Sequence, residues 1–298
     1  MPEASIRMLR SVDRLREPAI ASAIETLRLP KGSHGLDAGC GIGSHTGLLV
    51  RATSPGGRVT GLDSCAEHLA VAMEAARQGG VSDRASFRQG DVRALPFEQA
   101  SFDWAWSADC VGFIPGDPVE MVRGLVRVVK PGGIVALLLW SSQQLLPGYP
   151  ILEARLNGTR AGAAPATAEW PPWRHPLRSI GWLSRAGLRG PTARTFVVDV
   201  HAPLQEDQKS ALGCVIEMRW GHPESELSEA DWNVFERLVD RASPDSVVES
   251  EDYFGFFTYS LFWGRVPGRP DPESAPQGRL EGQPWLWGRG STTKRGGR

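Results

Sequence analysis

The sequence predicts an α/β fold built around a parallel sheet with helices on both faces. Between residues 34 and 140, short apolar runs that favour strands alternate regularly with segments that favour helices. One such run leads into a glycine-rich turn at residues 39–43, and a helix start follows the turn. Asp63 lies twenty residues after the last of these glycines, at the end of the second predicted strand. This combination is typical of a site for an adenosine-containing cofactor.

The first half of the chain contains five predicted strands and the helices that connect them. Residues 3–29 carry apolar side chains at three-to-four spacing and predict a helix, which Pro18 is expected to break or kink. Asp117 followed by Pro118 is typical of a helix start. The predicted strands are 35–38, 58–62, 85–89, 102–106 and 134–140, and the later helices are 65–79, with a capping-box pattern at Ser64 and Glu67, and 118–129.

The second half changes character after residue 140. Residues 141–175 are rich in Pro, Gly, Ala and Trp and predict a loop with one short helix. Two further strands are expected, with a pair of helices between them that adds to a minimal sheet fold. The elements are a helix at 176–187, a sixth strand at 195–201, helices at 204–220 and 229–241, and a seventh strand at 254–264.

We expect a single domain over residues 1–266, with a cofactor half at about 20–145 and an acceptor or cap half at about 146–266. Residues 267–298 are rich in Pro, Gly, Ser and Arg and predict a disordered tail.

The glycine spacing distinguishes between cofactor classes. A dinucleotide-binding turn needs G-x-G-x-x-G, but Ser44 and Thr46 stand where the third glycine would lie. The pattern here is D-x-G-x-G-x-G over residues 37–43. It resembles the first motif of the class I S-adenosylmethionine-dependent methyltransferases.

Four more segments resemble that family, in the same order. VTGLDS at 59–64 resembles its second strand, GDVRALPF at 90–97 its third motif, SFDWAWS at 101–107 its fourth strand, and RVVKPGGIV at 127–135 the turn and fifth strand of the ubiquinone-type, small-molecule branch. The resemblance covers roughly residues 20–145. It implies a Rossmann-like sheet of seven mostly parallel strands, the last antiparallel, and it implies S-adenosyl-L-methionine as the cofactor.

The resemblance also implies roles for individual residues. Asp63 would accept hydrogen bonds from both ribose hydroxyls, Asp91 one from the adenine amino group, and the Val92 N–H would donate to an adenine ring nitrogen. From the residues alone, helix capping by Asp63 and a turn at Asp91 stay open. The full set of predicted cofactor residues is Asp37, whose charge suits the methionine ammonium, with Gly39, Cys40, Gly41, Gly43, Asp63, Ser64, Asp91, Val92 and Ser107.

Residues that handle the methyl acceptor are marked less clearly. Methyl transfer from a sulfonium needs mainly positioning, and a base only when the acceptor carries a proton that must leave. Asp109 after the fourth strand, His45 after the glycines and His175 in the aromatic loop are candidate catalytic residues. An exposed or structural role is open for each of them.

Composition limits the class of partner. The net charge of −1 gives no reason to expect nucleic acid or an anionic membrane as partner, and the longest strongly apolar run, 134–140, is too short to span a bilayer. Four scattered cysteines and no Cys/His cluster predict neither a metal site nor a disulfide framework. We therefore expect a cytoplasmic protein, monomeric or homodimeric.

The predicted function is methyl transfer from S-adenosylmethionine to a small, partly apolar organic acceptor. The acceptor atom, oxygen, nitrogen or carbon, is left open by the sequence. The alternative is a non-catalytic protein that binds the same cofactor as a sensor or accessory subunit.

Overall fold

A computed structural model describes residues 2–167, 169–221 and 223–268 of the chain. The segment predicted as a tail therefore lies outside the described residues from residue 269 onward. The strands are β1 His34–Ala38, β2 Arg58–Asp63, β3 Ala85–Gln89, β4 Phe102–Ala108, β5 Val129–Gln144, β6 Arg189–His201 and β7 Phe254–Arg265. The helices are α1 Pro2–Thr26, α2 Ser44–Ala52, α3 Ala66–Gln78, α4 Pro118–Val128, α5 Pro150–Asn157, α6 Arg160–Ala163, α7 Ser179–Arg185, α8 Glu206–Trp220 and α9 Glu229–Val239.

The seven strands form one sheet in the order β3-β2-β1-β4-β5-β7-β6. Strands β1 to β5 pair in parallel, whereas β7 pairs antiparallel with both β5 and β6. The predicted sheet, with its antiparallel last strand and with α8 and α9 inserted between strands six and seven, is therefore confirmed. The strand order reverses between β1 and β4, which is where open α/β sheets bind their ligands.

Alternating side chains of the central strands build one hydrophobic core on each face of the sheet. On β5, Ile134, Ala136 and Leu138 face one core and Val135 and Leu137 face the other. Residues of α1, α2 and α8 join the first core, and residues of α4 and α7 join the second. Because both faces are covered, the strand reads as a continuous apolar run in the sequence.

Helix α1 continues through Pro18, where a break or kink was expected. Proline removes one backbone hydrogen bond and costs about 3 kcal/mol inside a helix. On the carboxyl side of Pro18, Ile20 and Ile24 are buried in the first core, and on the amino side Val12 is buried there too. Packing on both sides of the proline outweighs the lost hydrogen bond.

Several element boundaries differ from those predicted. Strand β6 begins at Arg189 rather than at residue 195, because Arg189 already pairs with Arg265 of β7. Residues 141–175 hold two short helices, α5 and α6, rather than one. Asp117 is the N-cap residue of α4, as predicted, but the N-cap residue of α3 is Cys65 rather than Ser64. None of the described helices combines the length and apolar composition needed to cross a membrane.

Candidate active site

A cavity of about 930 Å³ opens at the carboxyl edge of the sheet, beside the point where the strand order reverses. The glycine turn, the end of β2 and residues 90–93 form one end of its wall. Asp109, Trp140 and residues of α6 and α8 form the other end. The first half of α1 contributes Leu9, Asp13 and Arg16, so this helix both packs on the core and covers the cavity.

Most of the predicted cofactor residues line this cavity. They are Gly39, Cys40, Gly41, Asp63, Ser64, Asp91 and Val92. The other three lie behind the wall. Asp37 and Ser107 are buried, the Ser107 hydroxyl donates to the Ala38 carbonyl at 2.9 Å, and Gly43 precedes α2 with φ +81°.

Asp63 fixes the glycine turn in place. Its Oδ2 accepts a hydrogen bond from the Gly41 N–H and its Oδ1 one from the Cys65 N–H, both at 2.9 Å. Each carboxylate oxygen keeps a second lone pair. Gly41 has φ +52°, and a Cβ placed on it would meet no protein atom within 4 Å. The turn therefore presents open space at Gly41 together with a carboxylate that is already oriented.

Asp91 is occupied by a neighbouring arginine. Its carboxylate accepts from the backbone N–H of Arg93 and from the guanidinium of the same residue, with the closest oxygen–nitrogen pair 2.6 Å apart. The side-chain hydrogen bond from Arg93 lowers the pKa of Asp91. A ligand that bonds to this carboxylate must share it with Arg93 or displace it.

Asp37 has an unusual environment for a carboxylate. It is 1% exposed, and its Oδ2 accepts a hydrogen bond from the Thr46 hydroxyl at 2.7 Å. Burial raises its pKa to about 7, the Thr46 bond opposes that shift, and the charge of Asp63 adds to it. Asp37 therefore titrates near neutral pH.

A polar network joins α1 to β4 and β7 at the other end of the cavity. Arg16 lies at its centre and donates to Asp13, to Asp109 Oδ2 at 3.2 Å and to the Tyr259 hydroxyl at 2.8 Å. The backbone N–H of Trp140 donates to Asp109 Oδ1 at 2.8 Å. Burial raises the pKa of Asp109, although Arg16 and the Trp140 N–H favour its ionised form.

Sequence reasoning missed Asp13, Arg16, Tyr259 and Arg219. Asp13 and Arg16 lie on the face of α1 that also carries buried apolar residues, and two charges on that face were a signal in the sequence. Tyr259 and Arg219 carried no such signal, because only the pairing of β7 and the packing of α8 place them here.

The two candidate histidines lie in different places. His45 lines the cavity, and its Nε2 is buried with no hydrogen-bond partner among the described residues. Burial, aided by Arg16, lowers the pKa of His45 to about 4, so its ring is neutral at neutral pH. His175 instead lines an adjoining cavity of about 350 Å³, and its Nδ1 accepts a hydrogen bond from the Leu177 N–H.

The adjoining cavity shares part of its wall with the large one. The shared residues are Phe113, Trp140, Ala164, Pro165 and Arg219. The Trp140 ring stacks on Phe257 with centroids 4.5 Å apart, which holds it in place. Within residues 2–167, 169–221 and 223–268, no group of three or more His, Cys, Asp or Glu side chains is placed to hold a metal ion.

Comparison with known proteins finds a methyltransferase domain in the first half of the chain. A model of a methyltransferase domain matches residues 36–133, which include the glycine turn, Asp63 and Asp91. This match and the curated methyltransferases that the chain resembles support a class I S-adenosylmethionine-dependent methyltransferase domain. The match to this methyltransferase family ends before Trp140, Arg219 and Tyr259, so the second end of the cavity lies outside it.

Two curated relatives and one solved structure illustrate the likeness. The chain is 35% identical over 113 residues to the methyltransferase GfsG of Streptomyces halstedii, covering 38% of this chain and 40% of that protein. It is 34% identical over 128 residues to the demethylmenaquinone methyltransferase of Bacillus cytotoxicus, covering 42% and 53%. The chain thus spans about half or less of these relatives. The YcgJ protein of Bacillus subtilis shares the fold, with a TM-score of 0.55 at 19% identity over 84% of this chain and 99% of that one.

Proposed function

We propose that this chain transfers a methyl group from S-adenosylmethionine to a small organic acceptor. The observation that carries the proposal is one continuous cavity with two different ends. One end holds the features of a cofactor site, and the other holds a polar network, an indole and an arginine outside the family match. The proposal places both substrates in that cavity.

The cofactor end fits the group that the family implies. The open space at Gly41 leaves room for a ligand against the backbone, and Asp63 offers two oriented oxygens for ribose hydroxyls. Val92 lines the cavity two residues after Gly90 and would bind an adenine ring nitrogen through its N–H. Asp37 lies behind the turn, where its negative charge favours an ammonium group. Asp91 would bind the adenine amino group only beside Arg93.

The chemistry demands little of the protein beyond positioning. When bound, S-adenosylmethionine supplies an activated methyl on a sulfonium, so that an electron pair of the acceptor forms the new bond to the methyl carbon and the carbon–sulfur electron pair stays on sulfur. Asp109 is held by Arg16 and by the Trp140 N–H, and its raised pKa makes it a better base than an exposed aspartate. It is the proposed acceptor for a departing proton. His45 holds a proton too weakly at neutral pH for that role.

We assign the acceptor half to residues 146–266 of a single domain over residues 1–266. Ala161 and Pro165 on and after α6 and Met218 and Arg219 on α8 close the cavity over Trp140. These segments are the ones that the family match leaves out, so they are the natural source of acceptor specificity.

A label-transfer experiment tests the proposal. The protein is incubated with S-adenosylmethionine bearing an isotope-labelled methyl group and with a metabolite extract, and products are analysed by mass spectrometry. We expect a labelled small molecule together with S-adenosylhomocysteine. Tight cofactor binding without any labelled product would favour the non-catalytic alternative, a sensor or accessory protein.

A further inference from the structure

Arg219 is a partly buried cation at the boundary of the two cavities. Its Nη2 donates to the Gly162 carbonyl at 2.8 Å, and its guanidinium carbon lies 5.6 Å from the centre of the Trp140 ring. Its Nε is buried and has no hydrogen-bond partner among residues 2–167, 169–221 and 223–268. A buried donor without a partner costs stability, so a ligand in the cavity that accepts a hydrogen bond from it would offset that cost.

The other two arginines of the large cavity are already neutralised. Arg16 pairs with Asp13 and Asp109, and Arg93 pairs with Asp91. Arg219 has no carboxylate within 4.0 Å in the described part of the chain, and Asp109, whose charge acts on it from farther away, already pairs with Arg16. A guanidinium binds an anionic oxygen pair through parallel hydrogen bonds, and it gains most where water is largely excluded.

We infer that the methyl acceptor is a small anionic compound, with a carboxylate or phosphate group that Arg219 binds. This inference rests on the proposed function. The apolar part of the acceptor lies against Trp140 and Phe113, which line both cavities. The adjoining cavity, of about 350 Å³, has room for a small molecule beside Arg219.

The position of Arg219 in the cavity argues against its being a ligand of the cofactor. The cofactor end of the cavity is formed by the glycine turn and Asp63, whereas Arg219 contacts α6 and Trp140 and also lines the adjoining cavity with His175. Arg219 therefore lies at the end of the cavity that the proposed function assigns to the acceptor.

The test separates metabolites by charge before the reaction. A metabolite extract is divided on an anion-exchange resin into retained and unretained fractions, and each is incubated with the protein and methyl-labelled S-adenosylmethionine. We expect labelled product from the retained fraction only. Phosphatase treatment of that fraction abolishes the product if the anion is a phosphate and leaves it if the anion is a carboxylate.

Substitutions then test the residue. Arg219→Gln should lower the yield of labelled product at least about tenfold, while calorimetry shows an affinity for S-adenosylhomocysteine within about twofold of the parent. Arg219→Lys keeps the charge without the paired hydrogen bonds, so its yield of labelled product should lie between those of the parent and Arg219→Gln. Arg174→Gln is the matched control. Arg174 also bonds to a carbonyl, that of Gly116, and lies over an indole, that of Trp170, but it lines neither cavity.

Each other outcome has a distinct meaning. Product from the unretained fraction overturns the anionic acceptor and leaves methyl transfer intact. A tenfold loss of S-adenosylhomocysteine affinity in Arg219→Gln assigns this arginine to the cofactor and overturns the inference. Cofactor binding with no product from either fraction overturns methyl transfer itself, and the inference with it.

Discussion

Replacing Arg16 by methionine should destabilise the protein strongly. The side chains of Arg16, Asp13 and Asp109 are 11%, 14% and 26% exposed, and Arg16 joins α1 to β4 and β7. Removing one partner of a buried ion pair costs about 3–5 kcal/mol, and the partial exposure of Asp109 favours the low end, about 3 kcal/mol. In a domain of this size that corresponds to a fall of roughly 6–12 °C in Tm.

The destabilisation should depend on pH. Burial raises the pKa of Asp109 above its unfolded value, so its ionised form costs stability as pH rises through the folded-state pKa. Without Arg16 that pKa rises further, and protonation at low pH relieves the cost. The difference in free energy of unfolding between parent and variant should therefore be larger at about pH 8 than at about pH 5.5.

Urea unfolding followed by circular dichroism measures these differences. Arg14→Met is the control on the same helix, because Arg14 is 76% exposed and its pair with Asp207 is 3.9 Å long. Such a surface pair contributes about 0.5 kcal/mol or less. Adding Asp109→Asn to Arg16→Met should restore at least about half of the lost stability, since it removes one of the two carboxylates that lose their partner, Asp13 being the other. A loss no larger than that of the control, or no rescue by Asp109→Asn, would refute the reasoning.

Three further predictions concern the cofactor. Asp63→Ala should weaken S-adenosylmethionine binding at least about tenfold in calorimetry, since charged hydrogen bonds are worth about 1.5–3 kcal/mol each. Gly41→Val should abolish binding while the helical circular dichroism signal persists, because the side chain would enter the cavity from a backbone with φ +52°. Because the pKa of Asp37 is about 7, affinity should rise several-fold from about pH 6 to about pH 7.5, as the carboxylate that favours the ammonium ionises, and Asp37→Asn should remove this dependence.

Matched variants separate binding from folding in these experiments. Asp83→Ala removes an exposed carboxylate and should leave the affinity unchanged. Gly80 has φ +65° and equally open surroundings outside the cavity, so Gly80→Val carries comparable strain and should still bind. Unchanged affinity in folded Asp63→Ala would remove the ribose assignment. Tight binding by Gly41→Val would mean that the glycines form a turn without contacting the cofactor. An affinity for S-adenosylmethionine that does not change with pH would mean that Asp37 does not interact with the ammonium group.

The placement of the glycine turn beside Asp63 was predictable because its signals are local. The glycine turn needs backbone angles that glycine favours, and Asp63 follows one strand and one helix later, so the spacing alone places them together. The pairing of Asp91 with Arg93, two residues apart, was also within reach of the sequence but was overlooked.

The other end of the site depends on contacts between distant parts of the chain. Arg16 bonds to Asp109 across 93 positions and to Tyr259 across 243. Periodicity placed the residues of α1 on a helix, but only the packing of that helix shows which charges face the cavity. Arg219 reaches Trp140 because α8 packs on α1, and no local pattern encodes that packing.

Hydrogen exchange with saturating S-adenosylhomocysteine tests the central claim, that the cofactor occupies the cavity between the glycine turn and α1. We expect slower exchange at residues 39–43 and 90–93 and in the first half of α1, where Leu9, Asp13 and Arg16 line the wall. Binding confirmed by calorimetry, with unchanged exchange at residues 39–43 and 90–93, would contradict the account.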